Sequence, residues 1–323
     1  MKDVIIGAAV LLVVAAELGA SPAPVRAPET PMLPKPVRVL FVGDLMLDRN
    51  VAVAAHDLGQ ESLIATSTRD LFASADLRVG NLEGTITTNA SIAQRNSKIL
   101  RFTFDPKLAE YVLTTLHFNA VSLANNHTLD FGKFGYDDTR FNLGQWGVPS
   151  FGQPFNESNP STTLQTKDGS FCLVGYNATF DASSTPVLAE VVRLHANNCW
   201  KIVVFAHWGQ EYQTHSNQAQ QQDAHAFIDA GADLVIGSHP HVVEEVETYK
   251  GKAIFYSLGN FLFDQNFSWE TTHSLAVRVD FGEQNTSFVL VPLTIEDQQV
   301  SVAQGEHRQK ILTAAGIADF TLP

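Results

Sequence analysis

The chain alternates short, continuous apolar runs with longer amphipathic ones. Residues 37–42 form a β-branched run that stops at Gly43-Asp44, and residues 77–79 form one that stops at Gly80-Asn81-Leu82-Glu83-Gly84. Apolar runs of this length, ended by glycine and polar residues, read as buried strands. Further strands are predicted over 120–123, 148–151, 171–176, 201–206 and 232–236, then in close succession over 242–249, 253–258, 274–280 and 287–293. Helical patterns fall between them at about 50–58, 62–73, 106–116, 135–143, 186–196 and 218–230. Asp105-Pro106 supplies an N-cap followed by proline at the first helical position. Residues 85–100 are polar and aperiodic and read as a loop. The alternation predicts an α/β domain (α+β by some schemes) over 37–300, sheet-rich near its end, with a C-terminal tail over 301–323.

The N-terminus has a different pattern. A short Met1-Lys2-Asp3 head, an apolar run over 4–16 and the small residues Leu18-Gly19-Ala20 predict a signal peptide or N-terminal anchor over 1–20. The run's length favours a cleaved signal over a membrane-spanning helix. Prolines at 22, 24, 28, 31, 34 and 36 make residues 21–36 a stiff, extended linker. The chain is therefore expected to be exported, extracellular or periplasmic, or anchored facing outside, with membrane association confined to that first segment. Cys172 and Cys199 can pair in such a compartment, and two buried thiols fit the sequence equally well.

Composition narrows the function. At 45% hydrophobic and 17% charged over 323 residues, the chain has ample core and is globular. A formal net charge of −13 argues against non-specific nucleic-acid binding, which needs a basic face, so no nucleic-acid partner is expected. An anionic substrate requires cations held in a pocket to reverse the field locally.

The predicted strands supply a place for such cations. Five strand ends carry Asp44, Glu83, Asn126-His127, His207, and His239 with His241. In α/β sheets, sites form beyond the carboxyl ends of strands. Singly, each residue has an ordinary role as turn former, cap or core histidine. Together, carboxylate, amide and imidazole groups recurring at strand after strand suit one or two hard-to-borderline divalent ions. In the stretch 237–241, the spacing of His239 and His241 predicts two imidazoles on one side of extended backbone, and Pro240 keeps that segment from becoming helix.

The order and spacing of these motifs resemble the calcineurin-like metallophosphoesterases, whose pattern is D-x-H, G-D, G-N-H-D/E, a lone H and G-H-x-H. Gly43-Asp44-Leu45-Met46, Asn81-Leu82-Glu83-Gly84, Ala124-Asn125-Asn126-His127-Thr128-Leu129-Asp130, His207-Trp208-Gly209-Gln210-Glu211-Tyr212, residues 237–241 and Ser257-Leu258-Gly259-Asn260-Phe261 are similar to the CapA branch. That branch comprises bacterial poly-γ-glutamate capsule synthesis proteins, and the resemblance covers about 37–264. It implies a four-layer α/β/β/α sandwich. It further implies that Glu83 bridges two divalent ions of Mn, Fe or Zn type. Asn126, His207 and His239 would complete one site, and Asp44 and His241 the other. His127 would be the proton donor to the leaving group, oriented by Asp130, while the ions activate a water for attack on a phosphoester.

Glu211 and Asn260 are further pocket candidates under the same resemblance. Arg49 suits an anionic substrate group or a packing role equally. Two departures stand out: Met46 occupies the histidine position of D-x-H, and Glu83 is one methylene longer than aspartate. Two functions follow as expectations. One is an exported metal-dependent hydrolase acting on an anionic small molecule or polymer. The other is an accessory, non-catalytic protein for making or exporting poly-γ-glutamate. A simple binding module is a third, weaker reading.

Overall fold

Neighbouring residues of the strand Val37–Leu45 enter different cores: Val39 and Phe41 join one, Leu40 and Val42 another. Successive side chains of a strand point to opposite faces, so a strand apolar at every position must be covered on both. The computed structural model describes residues 35–96, 98–155, 160–180, 184–316 and 319–322. Residues from Lys35 onward form one unit. The predicted export segment (1–20) and the linker through residue 34 lie outside the described residues. Among the described residues, no helix is long and apolar enough to cross a membrane.

Two sheets stack face to face. The first runs Gln299–Val302, Thr286–Glu296, His273–Phe281, Val37–Leu45, Leu77–Leu82, Ala120–Ser122, Ser150–Phe151. The second runs Val246–Tyr249, Lys252–Phe255, Leu234–Ser238, Lys201–His207, Gly169–Asn177, Ser161–Thr166. In the second, the central strands are parallel and both edge strands antiparallel; in the first, Val37–Leu45 through Ser150–Phe151 run parallel and the strands on the other side antiparallel.

Phe41, Val79, Phe151, Phe205, Ile236, Phe255 and Val277 fill the space between the sheets. On the outer face of the first, Leu40, Val42 and Val121 pack with Val51, Phe72 and Val112 from the helices Arg49–Leu58, Thr66–Ala73 and Pro106–Thr115. On the outer face of the second, Val204, Val235 and Ile254 pack with Val192 and Phe227 from Thr185–His195 and Gln218–Ala230. Three apolar layers between four structural ones give the expected α/β/β/α order.

Several elements differ from the sequence reading. Residues 242–249 are predicted as one strand, yet only Val246–Tyr249 forms one; before it, Val243 makes a single isolated bridge to Leu258, just after the left-handed His241. Residues 301–323 are not a free tail. Gln299–Val302 and Phe320–Leu322 pair with Thr286–Glu296, and the helix Gly305–Ala314 buries Ile311 and Leu312. The strands Ser161–Thr166 and Asn260–Leu262 carry no strong sequence signal, the first being a largely polar edge and the second three residues long. Within the predicted loop 85–100, Thr85–Ile86 pairs with Thr103–Phe104.

Candidate metal centre

The parallel strands of both sheets end in one place, and their last residues meet there. Asp44 lies near the end of Val37–Leu45, Glu83 follows Leu77–Leu82, His207 closes Lys201–His207, and His239 follows Leu234–Ser238. Two glycines allow this close approach: a Cβ at Gly43 would lie 1.7 Å from the Gly259 carbonyl oxygen, and one at Gly237 would lie 1.9 Å from that of Tyr256. Only glycine fits where backbone meets backbone so tightly.

Asp44 and Glu83 are fully buried, with His207 and His241 nearly so. Asp44 Oδ1 accepts from Asn81 Nδ2 at 2.8 Å. Asp44 Oδ2 accepts from the His239 backbone N–H at 3.2 Å and lies 3.3 Å from His241 Nδ1. Glu83 Oε1 lies 3.7 Å from His241 Nε2 and 3.9 Å from His127 Nε2. His207 Nε2 is 2.7 Å from Asn126 Oδ1, while its Nδ1 faces Ser238 Oγ at 3.1 Å and Asn81 Nδ2 at 3.2 Å. Three overlapping groups result: Glu83 with His207 and His239, Asp44 with Glu83 and His241, and Glu211 with His239 and His241. Within each, potential ligand atoms lie no more than 4.8 Å apart.

The electrostatics of this cluster prepare two of its imidazoles for metal ligation. Burial pushes the Glu83 carboxyl well above its ordinary range, against the pull of His241. Burial also drives His207 well below its usual value, helped by His239, and lowers His239 to about 4. Both imidazoles are thus neutral near pH 7, the state that ligates metal. His241 loses from burial too, but the charges of Glu83 and Asp44 outweigh that and raise it to about 9. Both Glu83 oxygens and His239 Nδ1 are buried without a hydrogen-bond partner. Orphaned ligand atoms of this kind are costly unless something else satisfies them, and a divalent cation does so. The donor set fits divalent ions.

Beside the cluster opens a cleft of about 370 Å³ whose wall includes Arg49, Phe102, His127, Glu211, Tyr212 and His241. His127 Nδ1 is 2.8 Å from Asp130 Oδ2, and its ring lies 4.3 Å from that of Phe102. The Arg49 guanidinium sits between Phe102 and Phe263, at 4.9 and 5.7 Å, and is ion-paired with Asp264. Among the described residues, eight non-glycine residues are left-handed; Arg49, Tyr212 and His241, with φ of 49°, 64° and 61°, line this cleft, and His239, with φ of 95°, lies in the cluster beside it. Backbone strain of this kind collects at functional sites.

The structure thus brings together Asp44, Glu83, Asn126, His127, Asp130, His207, His239 and His241, with Arg49 and Glu211 on the wall. Asn260 lies behind His241 rather than on the cleft wall. Its Oδ1 is 3.0 Å from His241 Nδ1, and its Nδ2 donates to Gln265 Oε1 and the Thr271 carbonyl. The extended geometry expected for His239 and His241 is also absent. Both turn left-handed around Pro240, leaving the rings 6.0 Å apart. Sequence reasoning missed Asn81, which bridges Asp44 and His207, and Phe102, which packs on His127. Asn81 stands within the flagged motif Asn81-Leu82-Glu83-Gly84 but had no role assigned to it, whereas Phe102 carries no local signal.

A two-sheet sandwich with carboxylates and imidazoles gathered at its strand ends defines an α/β/β/α protein with a candidate divalent-metal centre. Within that class, the chain belongs to the family of bacterial capsule synthesis proteins PGA_cap, whose profile matches residues 38–265. It is 31% identical over 281 residues to the PGA biosynthesis protein CapA of Bacillus subtilis, covering 80% of this chain and 71% of that protein. It is 27% identical over 278 residues to the capsule biosynthesis protein CapA of Bacillus anthracis, covering 80% and 67%. Among solved structures, a phosphatase of Mycoplasma pneumoniae aligns with TM-score 0.48 at 14% identity, covering 86% of this chain and 98% of that one.

Proposed function

We propose that this protein is an exported, metal-dependent hydrolase that cleaves a phosphoester or related bond in an anionic substrate during capsule polymer metabolism. The observation that carries this reading is the His127–Asp130 pair beside the carboxylate–imidazole cluster. Asp130 Oδ2 holds His127 Nδ1, which leaves Nε2 directed at the Glu83 side of the centre, 3.9 Å from Oε1. Folding alone has no need of an imidazole fixed in this way.

Asp44, Glu83, Asn126, His207, His239 and His241 would hold one or two divalent ions. Such ions supply Lewis acidity and lower the pKa of a bound water. The chain's own residues do the rest. His127 Nε2 delivers a proton to the leaving oxygen, and Asp130 fixes which nitrogen does so. Arg49, braced by Phe102, Phe263 and Asp264, offers donors to an anionic group at the cleft wall. Export is supported by the apolar run over 4–16 and by the Cys172–Cys199 disulfide, since such bonds persist in oxidising compartments.

One observation favours the accessory, non-catalytic alternative: Met46 is buried in the helix-side core and offers no imidazole to the centre. The two readings separate in one experiment. Manganese-loaded full-length protein and a His127→Ala variant are assayed on aryl phosphate mono- and diesters. Hydrolysis by the wild type that falls about 100-fold or more in the variant, with metal content unchanged, supports the hydrolase. Metal-loaded wild type that turns over no ester, while polymer export still depends on it, supports the accessory role.

A further inference from the structure

Beside Asp44, Glu83 and His241 an ion would find three protein ligands, and Met46, two residues from Asp44, faces the wrong way to add a fourth. The Met46 side chain is fully buried in the core, and its sulfur accepts the Asp48 backbone N–H at 3.1 Å. Over the histidine pair, by contrast, lies the loop between the strand Lys201–His207 and the helix Gln218–Ala230. Two features fix its course. Gly209 turns left-handed, with φ of 82°, where a Cβ would meet Gln220 Nε2 at 2.7 Å. Gln220 is itself locked in a capping box with Asn217. Three residues on, the Tyr212 backbone N–H donates to the Pro240 carbonyl at 2.8 Å, tying this loop to the turn between His239 and His241.

These constraints place the Glu211 carboxylate within 4.8 Å of ring nitrogens of both His239 and His241. Charge then decides what it does there. An unneutralised carboxylate on the wall of a cleft for an anionic substrate would repel that substrate. A carboxylate bound to a cation does not.

We propose that Glu211 is a metal ligand, completing from the loop the coordination of the ion on the Asp44, Glu83 and His241 side. This rests on the metal reading above. With Asp44, Glu83 and Glu211 all engaged, three carboxylates face two divalent ions, so positive charge remains to attract an anion. The added oxygen ligand also makes that side of the centre harder than the side built from Asn126, His207 and His239, favouring Mn²⁺ over Zn²⁺ there.

The test is Mn²⁺ titration of the metal-stripped full-length protein, followed by calorimetry and electron paramagnetic resonance, for wild type, Glu211→Gln and Glu211→Asp. The expected result is two ions in the wild type, one of them bound at least tenfold more weakly in Glu211→Gln, with Glu211→Asp in between. Glu211→Asp keeps the charge and serves if the amide variant fails to fold. Equal affinities in all three proteins overturn the role of Glu211 while leaving the centre intact. A wild type that binds no ion overturns the centre and the Glu211 role together.

Discussion

Asp130 Oδ2 accepts two hydrogen bonds at once, from His127 Nδ1 at 2.8 Å and from the Phe102 backbone N–H at 2.7 Å. One carboxylate oxygen therefore sets both the orientation of the imidazole and the position of the aromatic ring packed against it. Removing that oxygen frees the two together. Asp130→Ala should lower kcat roughly 10- to 100-fold, the usual cost of losing a partner that orients a reacting group. Metal content should not change, because Asp130 belongs to none of the ligand groups. A variant with full kcat would show that His127 needs no orienting partner. One that lost its metal would show that the loop matters chiefly to the centre.

The strand ends were readable because a parallel strand buried on both faces must be an apolar run, and its end shows as glycine plus a polar residue. The helix Gln218–Ala230 was readable to the residue because Asn217 and Gln220 cap it and Gly231 ends it left-handed. The C-terminal helix and strand were not, since their burial depends on docking against a sheet formed far away in sequence. The same distinction holds in the site. Residue types at strand ends announced Asp44, Glu83 and the histidines. Phe102, 25 positions from His127, acquires its place only through the fold. His239 and His241 reach the cluster by a different backbone course from the extended one expected: the His239 backbone N–H is bonded to Asp44 Oδ2, in a left-handed turn that periodicity does not reveal.

Glu83 links metal binding to stability with opposite signs in the two states. In the metal-free protein, burial favours its neutral acid, and neither oxygen has a hydrogen-bond partner. Glutamine has the same shape and no charge, so Glu83→Gln should leave the metal-free melting temperature unchanged or higher. Saturating Mn²⁺ stabilises the wild type by about 2.7 kcal/mol at a hundredfold excess over Kd, and the variant should lose most of that gain. Differential scanning calorimetry with and without Mn²⁺ measures both. An undiminished metal-induced shift in the variant would remove Glu83 from the ligand set.

A second buried carboxyl lies outside the centre. Glu244 is 1% exposed, accepts from Gln220 Nε2 at 2.8 Å through Oε2, and has no partner for Oε1. Burial raises it from an ordinary 4.5 to about 8. Because the folded value lies above the unfolded one, the native state holds an extra proton between these two pH values. This contribution to stability is complete below pH 4.5 and is lost as pH rises through about 8. Glutamine mimics the protonated form. Glu244→Gln should therefore flatten the decline in melting temperature between pH 5 and pH 8.5, and gain most over the wild type at the alkaline end. Parallel pH dependences for the two proteins would show that Glu244 does not titrate in this window.

Cys172 and Cys199 form a disulfide with Cα atoms 5.9 Å apart, closing a loop across 27 positions. It ties the strand Gly169–Asn177 to the segment just after the helix Thr185–His195, on the outer side of the second sheet, where Cys172 belongs to the helix-facing core. Closing a loop of this length restricts the unfolded chain by about 3 to 4 kcal/mol in the chain-entropy model. The unreduced, denatured protein should therefore titrate with no free thiols, and finding two would refute the bond. A Cys172→Ala/Cys199→Ala protein should melt roughly 5 to 15 °C lower, given the melting shift per kcal/mol of a domain this large. On the proposed hydrolase reading, its rate at 25 °C should stay close to that of the wild type, because neither cysteine lines the cleft. A fall in rate without a fall in stability would instead couple this outer layer to the strand-end centre, through the pairing of Asn177 with His207.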